Sequence, residues 1–387
     1  MKNFNLFTLV LLLVFMHGIC EAQSSLLWTT QDSIAPARRK NPLIIEIEAE
    51  NGGIIASKDI KQVTFEDAYY NGVNLRVGWQ TQRSKDIYHQ LYNYPIYGVG
   101  LYSSTFNTNI IGSPYALYGF VIVPIHPKND KRWTYEYRIA LGLSGNFKPY
   151  NEETNPLNLV IGTKNNVFID FGFRAKYKFH KNFDVGVGAA FHHFSNGAMR
   201  LPNKGVNLLP LTASLTYTPN SESADYSRAE VPPFEQTWLY HINIAGGFKQ
   251  IDRQIDKRYH KATLSAYMSR HVSYKWRFGG GFDFFYSASG NAEEIAGSEK
   301  GKFSALFSGG PAFYMAHVLN ERLVLNGNIG YYLHKNDFNG EIENFYLRAG
   351  ARYYVYKNIN AGVSIKAHMG KADYIEWTAG YTFGKKH

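Results

Sequence analysis

The chain has 387 residues, 45% hydrophobic, 16% aromatic and 19% charged, and its 41 Lys and Arg against 31 Asp and Glu leave it at +10. So many aromatic and aliphatic side chains exclude a disordered chain, and past residue 20 no run approaches the roughly 18 apolar residues of a helical membrane span. A membrane β-barrel passes both tests, because its strands carry only a weak alternating signal.

At the start, Lys2 precedes an apolar run from Leu6 to Met16, and a small residue, Ala22, follows. This pattern predicts a secretory signal peptide over 1–22, cleaved after Ala22. A single anchor helix and a lipoprotein at Cys20 are the alternatives; the apolar core is short for the first, and Ile19 suits the second poorly. Cys20 is the only cysteine, so the mature chain is expected to lack disulfides, thiolate-metal sites and a Cys nucleophile. The basic balance suits anionic polymers or lipid headgroups, and nucleic acid is not expected as the partner of an exported protein.

Strands follow, read from period-two alternation. The first set falls near Pro42–Glu50, Val73–Gln80, Tyr97–Thr105, Ala116–Val123, Trp133–Leu143, Val167–Phe179, Phe183–Ser195 and Leu209–Tyr217. Between Val167 and Phe179 the odd positions read Val, Ile, Phe, Phe, Ala, Tyr, Phe, while Asp170, Arg174 and Lys176 are among the even ones. Such strands exceed the usual soluble length of about 5–6 residues and suit a tilted span with its apolar face to lipid.

Residues 220–236 are polar, contain Pro232-Pro233 and read as a linker. Eight more candidates follow at 237–248, 259–271, 273–288, 302–316, 322–333, 343–356, 359–369 and 373–383. The halves echo each other: Lys176-Tyr177, Lys181-Asn182, Gly186-Val187 and His192 recur 176 residues later as Arg352-Tyr353, Lys357-Asn358, Gly362-Val363 and His368. The expectation is an all-β, antiparallel outer-membrane barrel protein of about 16 strands. Its units are 43–219 and 237–383, the second a degenerate repeat; one large barrel is slightly favoured over two of eight.

Soluble-enzyme motifs such as G-x-S-x-G, H-E-x-x-H and a P-loop are absent. What stands out is Phe191-His192-His193-Phe194-Ser195-Asn196-Gly197 at the end of a spanning strand. His193 and Ser195 share the parity of Phe183, Val185 and Val187, so both point toward lipid. Twelve residues at roughly 3.3 Å each, tilted by about 40°, climb on the order of 30 Å, which carries Ser195 to the outer interface. A structural role, snorkelling among headgroups, competes there with a site for a lipid ester. His192 faces the lumen and is expected to join Asp184 and Arg174 in a polar network. A metal site from His180, His192 and His193 fails because their faces and heights differ, and no cofactor motif is present.

His193-x-Ser195-Asn196-Gly197, then Pro202-Asn203-x-Gly205 and a closing alternating strand, resembles the PagL-type lipid A 3-O-deacylases. The likeness covers 165–219 most closely and extends over 43–219; 237–383 has no active-site match. The resemblance implies a bacterial outer-membrane esterase with lipid A of lipopolysaccharide as substrate, His193 as general base and Ser195 as nucleophile. It also implies that Asn196 and Asn203 support the site, with Asn203 the candidate oxyanion donor. The family's acid falls twelve residues after the Ser, where this chain has Asn207. Asn207 shares the outward parity, so its carbonyl can accept the imidazole N–H. A slower triad, a distant acid such as Glu152 or Glu153, and a decayed site in a non-enzymatic pore or surface protein are the readings this leaves.

Overall fold

The computed structural model describes residues 40–384, apart from 66–67, 85, 128–131, 220–223, 342 and 369–370. The signal-peptide segment lies outside the described residues. Alternating sequence becomes sixteen strands: β1 (Leu43–Ile55), β2 (Tyr70–Gln80), β3 (Ile96–Phe106), β4 (Gly112–Pro124), β5 (Trp133–Phe147), β6 (Asn166–His180), β7 (Phe183–Ser195), β8 (Val206–Tyr217), β9 (Thr237–Gln250), β10 (Arg258–Ser273), β11 (Trp276–Ser287), β12 (Phe307–Val318), β13 (Leu323–Tyr331), β14 (Phe345–Tyr356), β15 (Ile359–His368) and β16 (Lys371–Phe383). Short helices α1 (Lys58–Thr64), α2 (Ile87–Leu91), α3 (Glu293–Ala296) and α4 (Phe303–Leu306) occupy loops. In β6, Phe171 and Phe173 are half exposed on the outer face while Phe168, Asp170 and Arg174 are buried on the inner one. No described helix is long and apolar enough to cross a membrane.

The sheets close as two eight-stranded antiparallel barrels, β1–β8 and β9–β16. This corrects the preference for one larger barrel. β1 pairs with β8 from Ile45↔Tyr217 to Ile55↔Asn207, and β9 pairs with β16 from Gly246↔Trp377 to Tyr240↔Phe383, so no strand edge is left to join the halves. Two predicted strands also start late. Tyr274 and Lys275 form the hairpin turn closed by the Ser273↔Trp276 pair, and 303–306 are helical rather than extended.

Barrels this small are filled rather than open. In the first lumen, Arg76 donates to Glu46 and Glu48 at 2.8 Å each, and Arg138 donates to Asp170 at 2.5 Å and Glu48 at 3.2 Å. Toward β7's C-terminal end an aromatic layer follows, with ring centroids of Phe168 and Tyr102 5.4 Å apart and of Phe168 and Phe194 5.0 Å apart. In the second lumen, Arg348 reaches Asp283 at 2.6 Å and Glu376 at 2.9 Å.

The barrels stand side by side, bridged at both ends. At the end of the short turns, Tyr92 Oη donates to the Val318 carbonyl at 2.6 Å, and the Lys275 ammonium sits 4.5 Å from the Tyr92 ring centre. Here the connecting segment is pinned to the first barrel: Arg83 N–H donates to the Asp225 carbonyl at 2.7 Å and Ala229 N–H to Gln90 Oε1 at 2.7 Å. At the opposite end, Gln250 N–H donates to the Ala198 carbonyl at 2.9 Å, and Leu201 N–H donates to Gln250 Oε1 at 2.7 Å. Short turns mark the periplasmic side of such barrels, so the second bridge lies outside.

Candidate active site

β7 ends in the motif, and period two sends His193 and Ser195 to one face and His192 to the other. His193 lies opposite Asn207 in the β7–β8 register. Its Nδ1 is 2.6 Å from Asn207 Oδ1 and its Nε2 is 3.0 Å from Ser195 Oγ. An amide oxygen only accepts, so Nδ1–H donates to Asn207, and the lone pair on Nε2 receives the Ser195 hydroxyl proton. The three side chains therefore form one directed chain of hydrogen bonds, the order a serine nucleophile and its base require.

The following loop holds this chain in place. Gly205 has φ +77°, and a Cβ there would lie 2.8 Å from His193 Cε1, so the imidazole occupies space that only glycine leaves. Asn196 is buried and braces the loop: its Nδ2 donates to Thr163 Oγ1 at 3.1 Å and to the Arg200 carbonyl at 3.0 Å. Asn203 Oδ1 accepts the Asn196 N–H at 3.0 Å, while Asn203 Nδ2 is buried without a hydrogen-bond partner. The two asparagines thus differ. One is consumed by loop structure, and the other keeps a donor unused.

Other expectations fare differently. Glu152 and Glu153 are exposed in a turn whose N–H groups bind Asn151 Oδ1, at 3.0 Å for Glu153, and Asn207 already holds His193 Nδ1. The distant-acid reading is corrected accordingly. His192 points into the lumen, 2.9 Å from Glu50 and 3.1 Å from Asp170, rather than against Asp184 or Arg174. Asp184 lies instead 3.7 Å from Lys176 in the same lumen. Among the described residues no group of three His, Cys, Asp or Glu side chains forms a metal cage.

The second barrel covers the site, which parity alone did not reveal. Ser195 is only 2% exposed, and a Cβ on Gly197 would lie 2.4 Å from Ile375 Cγ1 on β16. Ser195 therefore faces the seam between the barrels instead of open lipid. A cavity of about 420 Å³ lies in that seam, with Ser195 in its wall. A signal for this cover exists in β4, where Gly119 to Val123 form a continuous apolar run and are buried on both faces, as strands sandwiched between two layers are.

Residues 73–216 match the family model "Lipid A 3-O-deacylase (PagL)", and 238–386 match "Acyloxyacyl hydrolase, C-terminal domain". No curated protein matches significantly. Among solved structures, the chain is similar to Neisserial surface protein A, at 10% identity and TM-score 0.31 over 45% of this chain and 96% of that one. It is similar to the outer membrane enzyme PagL at 13% and 0.29, over 44% and 97%. A third likeness, to the N-terminal β-barrel domain of Pseudomonas aeruginosa OprF, has 14% and 0.27 over 45% and 97%. The first family model spans His193, Ser195 and Asn207, the second spans β9 to β16, and the chain belongs to the PagL-type lipid A 3-O-deacylase (acyloxyacyl hydrolase) family of bacterial outer-membrane β-barrels.

Proposed function

We propose that this protein is a serine esterase of the outer membrane that removes an ester-linked acyl chain from lipid A of lipopolysaccharide. The observation that carries the proposal is the hydrogen-bonded series Ser195–His193–Asn207 at the outer end of β7. Ser195 Oγ attacks the ester carbonyl carbon as its proton passes to His193 Nε2, and the carbonyl π electrons move onto oxygen. Collapse breaks the bond to the sugar oxygen, which takes the proton from His193 and leaves as an alcohol. Water then gives a proton to His193, attacks the acyl-enzyme and releases the fatty acid and Ser195. Asn207 holds the ring in the Nδ1–H tautomer throughout, and the Asn203 amide is the donor assigned to the oxyanion.

The excess of cationic side chains suits an anionic lipopolysaccharide. Only the first barrel is assigned the reaction, because Ser195 corresponds 176 residues later to Lys371. Mass spectrometry of lipid A from membranes carrying the wild type or Ser195→Ala tests the reading. Loss of a hydroxyacyl chain is expected with the wild type alone, and its absence from both preparations refutes the proposal. Asn207 in place of an acid favours a second reading, a surface barrel with a decayed site. The lumen packed with Arg–Glu pairs counts against a conducting pore.

A further inference from the structure

We propose that the seam between the barrels is the acyl-chain site of this esterase and that the second barrel, which carries no triad, supplies one wall of it. The inference rests on the esterase reading and assigns the part of the substrate that reading leaves unplaced. Val167 and Ile169 are the β6 register partners of Ser195 and His193, and both line the cavity directly beside them. Across the seam its lining includes Ala351, Val363 and Ile375. Val363 pairs with Ala351, which pairs with Leu325, so one apolar row crosses β15, β14 and β13.

An ester at the interface has two unlike ends. Its sugar must remain among headgroups, while its hydrocarbon must stay out of water. With the carbonyl carbon at Ser195, the loop 196–205 and Gln250 occupy the headgroup side, and the apolar volume adjoining the serine is the seam. The occupant is therefore a linear acyl chain from the outer leaflet, its carbonyl at Ser195 and its methyl end toward Leu323. Ala349 and Ala351 set the far wall back, so side-chain size on β14 limits the length accepted.

The test uses the full chain in detergent micelles and p-nitrophenyl esters from butyrate to palmitate. Ala351→Trp lowers the palmitate-to-butyrate ratio of kcat/KM roughly tenfold or more, the scale on which apolar pockets discriminate methylenes. Leu211→Trp, on an exposed outward face and outside the cavity lining, leaves the ratio at its wild-type value. Should Ala351→Trp fail to fold, Val363→Phe makes the same constriction from β15. An unchanged ratio in the folded variant overturns the proposal, as it would if a resident phospholipid filled the seam permanently. A second arm needs no turnover: a long-chain fatty acid with a terminal diazirine is photolysed with Ser195→Ala protein. Adducts concentrated on peptides from β13 to β15 support the site, and adducts spread evenly over outward residues such as Val187 and Leu211 overturn it. Seam labelling by a wild type that hydrolyses no ester removes the esterase reading and leaves the acyl site standing.

Discussion

The His193 imidazole and the Asn207 amide face each other across the β7–β8 register, with Nδ1 and Oδ1 2.6 Å apart. This bond orients the ring, but a neutral acceptor gives no full charge to the imidazolium formed during attack. Charge-assisted hydrogen bonds are about twice as strong as neutral ones, a difference of about 1.4 kcal/mol or tenfold in rate. Asn207→Asp is expected to raise kcat about tenfold, and Asn207→Ala to lower it. Steady-state kinetics on a soluble ester provide the measurement, and an Asp variant slower than the wild type removes Asn207 from the acid's position.

Gly205 leaves room for that ring. A methyl group there would approach His193 Cε1 to 2.8 Å on a backbone already at φ +77°. The flanking β8 register is independent of this contact, so Gly205→Ala is expected to fold as a barrel yet displace the imidazole. Displacements of about 1 Å cost about a hundredfold in kcat. Circular dichroism and heat-modifiable gel migration report the barrel, and unchanged kcat in a folded variant contradicts the assignment.

The first barrel's lumen holds a buried ionic cluster. The Glu48 carboxylate lies 2.8 Å from Arg76, 3.2 Å from Arg138 and 3.7 Å from Arg174, and all four side chains are buried. Removing one member of a buried ionic group leaves its partners uncompensated, at about 3–5 kcal/mol. Glu48→Ala is therefore expected to destabilise the folded barrel by that amount in urea titrations from lipid vesicles. Replacement of the half-exposed Leu209 by Ala is expected to cost much less. Equal costs for the two would show that the lumen network is not what holds the barrel.

Much of this was legible in the chain because period two assigns a face to each side chain. Val185, Val187, His193 and Ser195 share one parity, and the outward exposure of Val185 and Val187 follows it. Facing across the sheet was also within reach, since Asn207 has matching parity on the next strand. What alternation does not encode is which edge strands meet. It is silent on whether β8 returns to β1, so the pattern allowed two barrels as well as the single larger one slightly favoured from the sequence. Nor does it specify what lies beyond an apolar face: lipid and another barrel demand the same residues. Ile375 over Gly197 was hidden for that reason, and only the doubly apolar run of β4 hinted at a protein neighbour. The helical turn at α4 escaped because Phe303, Ala305 and Leu306 are apolar in either conformation.

Asn203 provides the remaining prediction. Its Oδ1 is committed to the Asn196 N–H at 3.0 Å, whereas its Nδ2 is buried with no partner. A buried donor left unpaired costs about 1–3 kcal/mol, a penalty relieved when a negatively charged oxygen develops beside it. Asn203→Asp retains an acceptor for Asn196 but removes the donor, so loop geometry persists while transition-state stabilisation is lost. The expected result is a kcat lower by about 10²–10³ with KM little changed, the loss associated with one oxyanion donor. Asn203→Ala removes both functions and is expected to lose thermal stability as well. A matching loss of stability in Asn203→Asp, or a rise in KM with kcat preserved, would instead make Asn203 a loop brace like Asn196.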